Sequence, residues 1–235
     1  MKKKILIVMS IILIALFAYG IYYVNDYAHA DSVAKEYIKV NGSVKVSESS
    51  NGLFIDGKGN NTALIFYPGA KIEYTSYLPL LCQLANDGVD CYLVEMPFNL
   101  AFLDPDSANE IIDTTNYSHY FLAGHSLGGV SAASYVNSSD KCDGLILLAS
   151  YPTQEIYKPA LSVYGSEDKI LNMEKYNEAK PLLKNLTEII VPGGNHAQFG
   201  NYGNQTGDGI ANISSKAQQK QCDLKIIEFI NNITL

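Results

Sequence analysis

A serine between glycines is the first feature of this sequence that could do chemistry. Residues 123–136 read AGHSLGGVSAASYV, and the pentapeptide GHSLG, centred on Ser126, fits the pattern G-x-S-x-G. The strand-like run HYFLAG leads into the pentapeptide, and the helix-compatible run LGGVSAASYVN follows the serine. A serine on such a sharp turn is lifted above the sheet, at the positive end of a helix. The pattern therefore predicts a nucleophile at Ser126; the alternative is an incidental serine in a glycine-rich turn.

A serine hydroxyl is a weak nucleophile without a general base, and the chain offers four histidines for that role. His29 precedes the apolar strands, His119 begins one of them, and His125 lies within the turn itself. His196 follows the last strand-like run, in the glycine-rich segment VPGGNHAQFG. We therefore expect His196 to be the base, rather than an ordinary surface-loop histidine.

An acid must orient this histidine and stabilise its charged form. The segment VYGSEDKIL supplies Glu167 and Asp168 after the penultimate strand, between the serine and the histidine in chain order. The order serine, acid, histidine is typical of one large class of hydrolases. Asp168 is the preferred acid and Glu167 the alternative; a third possibility is that Asp168 only caps the next helix.

Two backbone N–H groups are needed to bind the oxyanion of an acyl-transfer reaction. The N–H of Leu127, directly after the nucleophile, is the first candidate. The loop after the strand TALIFYP offers the second, for which Ala70 is the best candidate. An ordinary turn at Pro68-Gly69 is the alternative reading of that loop.

The elements that would position these residues alternate between strands and helices. Strands are predicted at 53–57, 62–68, 91–97, 119–124, 144–150, 160–165 and 187–192. Helices are predicted at 74–88, 107–115, 126–137, 172–184 and 216–231. Continuous apolar strands separated by helices indicate an α/β fold, a mostly parallel sheet with helices on both faces. Ligands of such sheets bind at the carboxyl ends of the strands, where all the candidate residues lie.

From about residue 52 to its end, the chain resembles the α/β-hydrolases. Within that superfamily it resembles small membrane-anchored bacterial members, through YPGAKIEYTSY, MPFNLAFL, GHSLGG and GGNHAQFGNYG. The resemblance implies an eight-stranded-type sheet and a triad of Ser126, Asp168 and His196. Pro68 departs from the His-Gly of many relatives. The ten residues YPTQEIYKPA between two strands are too few for the large lid that many relatives insert there.

This constellation predicts a serine hydrolase that cleaves an ester-type bond through an acyl-enzyme. Neither a metal nor an organic cofactor is expected, and the partner is a small-molecule ester or acylated substrate. Aromatic side chains at Phe98, Phe199 and Tyr202 are expected to line its pocket, unless they only fill the core. A non-catalytic binding protein of the same fold, or a peptidase or transacylase with the same triad, is the alternative.

The N-terminus predicts a membrane anchor. Three lysines, residues 2–4, precede the run 5–24, which carries no charge and as a helix would span about 30 Å. Lysines hold such a start in the cytoplasm, so the rest of the chain would lie outside. A secreted protein, cleaved after the pattern Ala28-His29-Ala30, is the alternative. Residues 1–24 are thus an anchor or signal segment, 25–51 a stalk or linker, and 52–235 the catalytic domain.

Composition excludes one class of function and leaves one question open. The net charge of −7 argues against nucleic acid as a partner, because an acidic surface repels phosphates. Four cysteines outside the cytoplasm allow three pairings. Cys91 lies in an apolar run and is expected to be a buried thiol, whereas Cys142 and Cys222 lie in polar runs and are the better pair. The sequence does not indicate an oligomeric state.

Overall fold

The computed structural model describes residues 2–38, 44–59 and 61–234. Its strands are β1 Lys45–Ser49, β2 Gly52–Asp56, β3 Thr62–Tyr67, β4 Asp90–Val94, β5 His119–His125, β6 Gly144–Leu148, β7 Ile156–Gly165 and β8 Leu183–Val191. Its helices are α1 Lys2–Asn25, α2 Ser32–Tyr37, α3 Leu78–Asn86, α4 Ala108–Thr114, α5 Leu127–Ser138, α6 Met173–Ala179 and α7 Ser215–Thr234.

The eight strands form one sheet in the order β1-β2-β4-β3-β5-β6-β7-β8. The β1–β2 and β2–β4 pairs are antiparallel, whereas every pair from β4 to β8 is parallel. The carboxyl ends of these parallel strands therefore lie along one edge of the sheet, which we call the carboxyl edge. The predicted fold class, a mostly parallel sheet between helices, is confirmed.

Two apolar layers cover the sheet, because its central strands are apolar at every position. Along β3, Leu64 and Phe66 face the layer that contains α3, α6 and α7. The alternate residues Ala63, Ile65 and Tyr67 face the layer that contains α4 and α5. This alternation follows from the period of two residues in a strand, and it lets helices cover both faces of the sheet.

Part of the predicted linker, residues 25–51, belongs to the folded domain instead. The strand β1 pairs with β2 from Lys45↔Asp56 to Ser49↔Gly52, and Ser50 and Asn51 form the hairpin turn between them. The sequence KVSES lacks the alternating apolar pattern by which a strand is recognised, so only pairing with β2 reveals it. Residues 39–43, also in the predicted linker, lie outside the described residues.

The N-terminal helix α1 is long and apolar enough to cross a membrane, and its side chains are exposed from residue 3 to residue 23. The residues that follow it pack against the domain. Ala28 forms a parallel bridge with Ile72, and both Ala30 and Ala34 are buried. Asp31 caps α2 by accepting a hydrogen bond from the Ala34 N–H at 2.9 Å. Segment 26–37 is therefore a docked segment and not a free stalk.

All four cysteines are free thiols, so the predicted Cys142–Cys222 pair is wrong. Cys142 lies in the layer with α4 and α5, whereas Cys222 lies in the layer on the other face of the sheet. The prediction was wrong because polar residues surround Cys142 and Cys222 in the sequence, whereas both side chains are buried in the core. Cys91 is a buried thiol as expected, and burial raises its pKa well above the ordinary value.

Candidate active site

Ser126 occupies a strained turn between β5 and α5. Its backbone has φ +52° and ψ −125°, a conformation that a residue with a side chain rarely adopts. Close packing enforces the turn: a Cβ on Gly128 would lie 2.2 Å from the Pro68 carbonyl oxygen. A Cβ on Gly124 would lie 2.5 Å from the Gly128 carbonyl carbon. These glycines allow the backbones to approach closely enough to hold Ser126 at the helix N-terminus.

Hydrogen bonds to the backbone of Ser126 complete the turn. Its N–H donates to the Leu148 carbonyl at 3.0 Å, and its own carbonyl accepts from the Ser150 hydroxyl at 2.6 Å. Ser150 is buried at the end of β6, the neighbouring strand. Sequence reasoning missed this serine, since only the register of β5 and β6 brings it to the turn.

Asp168 and His196 form a buried pair on the loops after β7 and β8. His196 Nδ1 lies 2.9 Å from Asp168 Oδ2, and both side chains are almost completely buried. The other carboxylate oxygen accepts from the Ile170 and Leu171 N–H groups at 2.9 and 2.8 Å. Glu167, the alternative acid, is partly exposed, and its side chain accepts a hydrogen bond from the Ser166 hydroxyl. Because an ionised carboxylate can only accept, Nδ1 carries the hydrogen and Nε2 is left free to accept a proton.

One further acid, Asp208, connects the two loops. Its Oδ1 accepts from the Lys169 N–H at 3.2 Å, and its Oδ2 accepts from the Ala197 N–H at 2.9 Å. Lys169 and Ala197 each directly follow a member of the buried pair. Asp208 therefore sets the spacing of the acid and the base, a role that its surroundings in sequence, QTGDGI, do not signal.

The histidine beside the serine has a structural position of its own. The Gly69 N–H donates to the Tyr77 hydroxyl at 3.1 Å, so that hydroxyl is free to donate to His125 Nδ1 at 2.8 Å. The His125 ring is buried 4.5 Å from the His196 ring, centre to centre. Burial holds the pKa of His125 well below its usual value, and charge repulsion from His196 lowers that pKa further. The His125 side chain is therefore neutral, and it links Tyr77 and the loop after β3 to the ring of His196.

A small cavity of about 100 Å³ lies beside the serine. Ser126 and His196 both line it, so the structure brings the predicted nucleophile and base to one space. Its remaining lining is mostly apolar and comes from the loops after β6 and β7 and from the first turn of α5: Leu127, Val130, Ala149, Ser150, Tyr151, Ile170, Leu171 and Asn172.

None of the three predicted pocket aromatics lines this cavity. Phe199 is fully buried and packs against His125 at 5.6 Å between ring centres, so it supports the site from behind. Tyr202 is also buried, beside a different cavity. Phe98 is exposed and lines a third cavity next to β1. The prediction differs from the structure because two of the aromatics fill the core, and the third is exposed beside a different cavity.

The two predicted oxyanion donors lie on segments that touch. Leu127 begins α5, where the first backbone N–H groups of a helix lack partners within the helix. Ala70 lies two residues after Pro68, whose carbonyl meets Gly128 at the same turn. Ala70 itself lines a cavity that it shares with Asp26 and Tyr202, and not the one beside the serine. Within the described residues, no cluster of His, Cys, Asp or Glu is arranged to hold a metal ion.

Comparison with known proteins agrees with this geometry. The model of the alpha/beta hydrolase family matches residues 63–220, which is more than half of the chain. The chain belongs to the alpha/beta hydrolase family. No curated protein matches the sequence significantly. The hydrolase-family match contains the strained serine, the buried acid and the buried histidine.

Solved structures resemble this α/β-hydrolase in fold. A ferulic acid esterase from Streptomyces cinnamoneus has 17% sequence identity and a TM-score of 0.59, covering 74% of this chain and 67% of its own. A dienelactone hydrolase from Anabaena variabilis has 12% identity and a TM-score of 0.62, covering 82% and 99%. A bacterial membrane phospholipase A has 14% identity and a TM-score of 0.59, covering 97% and 99%. At such identities the likeness is one of fold.

Proposed function

We propose that this α/β-hydrolase is a serine hydrolase that cleaves an ester-type bond through an acyl-enzyme on Ser126. One observation carries the proposal: the strained Ser126 and the buried His196 line the same small cavity, and the histidine is held by Asp168. A strained serine turn, a buried acid and a buried base are each costly, and a binding protein has no need of all three. Esterase and hydrolase neighbours of the same fold support the reaction class.

In the first half of the proposed reaction, the Ser126 oxygen attacks the carbonyl carbon of the ester. His196 Nε2 takes the serine proton, and Asp168 stabilises the imidazolium that results. Negative charge grows on the carbonyl oxygen, where the Leu127 and Ala70 N–H groups would hold it. One such donor is typically worth about 3 kcal/mol in the transition state.

In the second half, His196 returns the proton to the departing alcohol, and a water molecule then attacks the acyl-enzyme by the same route. The acyl group remains on Ser126 between these steps and must fit beside it. The cavity of about 100 Å³ beside Ser126 is small and partly open, so it covers only the part of an acyl group next to the serine.

We also propose that α1 is retained as an anchor, with the catalytic domain outside the cytoplasm. The three lysines at its start favour that orientation. The residues just before the alternative cleavage site contribute to the domain: the Ala28 N–H donates to the Lys71 carbonyl, and the N–H of the buried Ala30 donates to the Glu73 carboxylate. Cleavage after Ala30 would remove these contacts, so the fold supports a retained helix.

Labelling with a fluorophosphonate tests the proposed chemistry, because this reagent reacts with activated serines. The full-length chain in membranes is compared with Ser126→Ala, His196→Ala and the control Ser134→Ala, which changes an exposed serine on α5. We expect labelling of the parent and the control, none of Ser126→Ala and little of His196→Ala. Equal labelling of the parent and Ser126→Ala, or no labelling of a folded parent, would reject the nucleophile and favour a binding protein.

Product analysis with matched ester, amide and added-alcohol substrates then separates an esterase from a peptidase or a transacylase.

A further inference from the structure

We infer that the carboxyl edge of the domain lies against the bilayer that holds α1, so that the esters reaching Ser126 are amphiphiles resident in that membrane. This inference rests on the proposed function, including the retained anchor. It adds the substrate class, which neither the triad nor the fold provides. Four features of the structure carry it: a hydrogen-bonded joint between α1 and the domain, the depth of that joint, exposed apolar turns and the small size of the cavity beside Ser126.

The joint connects the end of α1 directly to the loop after β3. The Ala28 N–H donates to the Lys71 carbonyl at 2.8 Å, and the Glu73 N–H donates to the Ala28 carbonyl at 2.8 Å. The Lys71 ammonium forms an ion pair with Asp26 at 2.9 Å and lies 4.4 Å from the centre of the Tyr23 ring. The anchor is therefore attached beside Ala70, the proposed oxyanion donor, and not through a loose linker.

Tyrosines set the depth of this joint in the membrane. Tyr19, Tyr22, Tyr23 and Tyr27 cluster where α1 ends, and such rings concentrate at the level of the lipid headgroups. Because Lys71 contacts Tyr23, the loop after β3 lies at the same level. Ser126 follows the neighbouring strand β5, so the active-site edge is close to the headgroups as well.

The loop after β4 extends the apolar surface from the anchor towards the serine. Its first turn, Pro97–Asn99, contacts α1, and its second turn, Ala101–Leu103, contacts α5. Phe98, Phe102 and Leu103 nevertheless remain largely exposed, Phe102 by 58%. Leu127, beside the serine, is 51% exposed on the same edge. Exposed apolar side chains grouped beside a membrane-crossing helix mark a lipid-contacting face.

The charges on this edge indicate which kind of lipid contact is involved. The side chains near the joint and the apolar turns include Asp26, Glu73, Asp104 and Asp106, and of these Asp26 pairs with Lys71. The remaining carboxylates would repel anionic headgroups, so the contact is apolar and fits a zwitterionic bilayer. The occupant of this face is thus a phosphatidylcholine-like surface, and salt should change its binding little.

The small size of the cavity beside Ser126 completes the argument about substrate. It is partly open and covers only a short group, so the long apolar part of an amphiphilic ester must lie outside it. The exposed Phe102 and Leu103, on a turn that contacts α5, offer that part an apolar surface. An ester carbonyl at the membrane interface would reach Ser126 without leaving the lipid.

The first experiment measures membrane contact without using activity. The chain contains no tryptophan, so Phe102→Trp and Tyr157→Trp are single-tryptophan proteins. Tyr157 is 72% exposed at the amino end of β7, on the opposite edge of the sheet. In vesicles containing brominated phosphatidylcholine, we expect the emission of Phe102→Trp to be quenched and that of Tyr157→Trp to be unchanged. Equal quenching of the two, or no quenching of Phe102→Trp, overturns the inference even if the protein is an active hydrolase.

The second experiment measures delivery of substrate. Full-length protein in phosphatidylcholine vesicles is given two butyrate esters, one water-soluble and one attached to a long-chain anchor in the same vesicles. The double variant Phe102→Ser/Leu103→Ser should cleave the anchored ester about tenfold more slowly than the parent, because two apolar contacts with the membrane are removed. Its rate on the soluble ester should equal that of the parent. Tyr157→Ser should change neither rate. An equal loss on both esters, or no loss, contradicts the inference, whereas inactivity of the parent on both contradicts the proposed function.

Discussion

The serine turn and the loops that carry Asp168 and His196 share close backbone contacts but differ in how much side chains add to them. Around Ser126 the backbone is confined by close contact between glycines and neighbouring carbonyl groups, with a positive φ at the serine. The loops of Asp168 and His196 have such contacts too, since a Cβ on Gly209 would lie 1.8 Å from the Glu167 carbonyl oxygen, but here side-chain hydrogen bonds such as those of Asp208 set the spacing. Steric confinement fails abruptly when an atom is added, whereas a hydrogen-bonded loop loses its geometry by degrees. The two halves of the site should therefore respond differently to substitution.

The largest effect is expected at the acid itself. Asp168→Asn should reduce the rate of ester cleavage by about 10⁴-fold, because an amide can hold His196 in the wrong tautomer. The neighbouring Glu167→Gln is the matched control and should leave the rate almost unchanged, since among the described residues the Glu167 side chain accepts a hydrogen bond only from the exposed Ser166 hydroxyl. Rates on a water-soluble ester measure both. A larger loss for Glu167→Gln than for Asp168→Asn would assign the acid to Glu167 instead.

A single methyl group in the nucleophile turn should have the next largest effect. The new Cβ of Gly128→Ala would lie 2.2 Å from the Pro68 carbonyl oxygen, so the turn must move. A displacement of about 1 Å at a catalytic group costs about 100-fold in rate. Fluorophosphonate labelling rates, with thermal unfolding to check the fold, measure it. Ser134→Ala on the exposed side of α5 provides the control, and equal rates for the two variants would refute steric confinement.

A graded loss is expected where hydrogen bonds position the loops. Asp208→Ala removes the carboxylate whose two oxygens accept hydrogen bonds from the Lys169 and Ala197 N–H groups, and it should lower kcat about tenfold. Asp208→Asn retains one good acceptor oxygen and should recover part of that loss. Steady-state kinetics of the two variants make the comparison. If Asp208→Asn were no better than Asp208→Ala, Asp208 would not act through these bonds.

The smallest effect concerns stability and its dependence on pH. The folded pKa of His125 is well below 6.5, so below pH 6.5 the unfolded chain binds a proton that the folded chain does not. The free energy of unfolding should therefore fall as pH decreases from 6.5 towards the folded pKa, by about 1.4 kcal/mol per pH unit from this group.

Replacing the histidine isolates this contribution. His125→Gln should show a shallower dependence than the parent between pH 6.5 and 5.5, although its stability at pH 7.5 is lower because the contact with Tyr77 is altered. Urea unfolding at each pH measures the difference between the two slopes. Parallel slopes would mean that His125 takes up its proton in the folded state as well.

Local pattern was sufficient wherever a residue's position depends on its immediate neighbours. The strands from β3 to β6 are continuous apolar runs, and the serine turn combines a strand, a glycine motif and a helix within twenty residues. The choice of Asp168 and His196 relied on the same rule, that residues after parallel strands meet at one edge. The apolar N-terminal helix was equally readable, because a long charge-free run needs no partner to be recognised.

Long-range contacts decided what local pattern missed. Strand β1 exists only through its pairing with β2, and the docked segment 26–37 only through bonds to Lys71, Glu73 and Asn201. Aromatic side chains at Phe199 and Tyr202 are as suitable for a pocket as for a core, and packing put them in the core. Cys142 and Cys222 lie on opposite faces of the sheet, which their polar sequence neighbours do not indicate.

The sequence by itself determined the α/β class, the apolar N-terminal helix and the order of the chemistry-bearing residues, because each follows from periodicity, length or a short motif. Only the tertiary structure decided that His196 bonds to Asp168, that Asp208 spaces them and that the segment after α1 meets the domain at Lys71. Each of those facts joins segments that are distant in the chain. Their proximity arises from burial shared by the whole domain, and no local stretch of sequence carries that information.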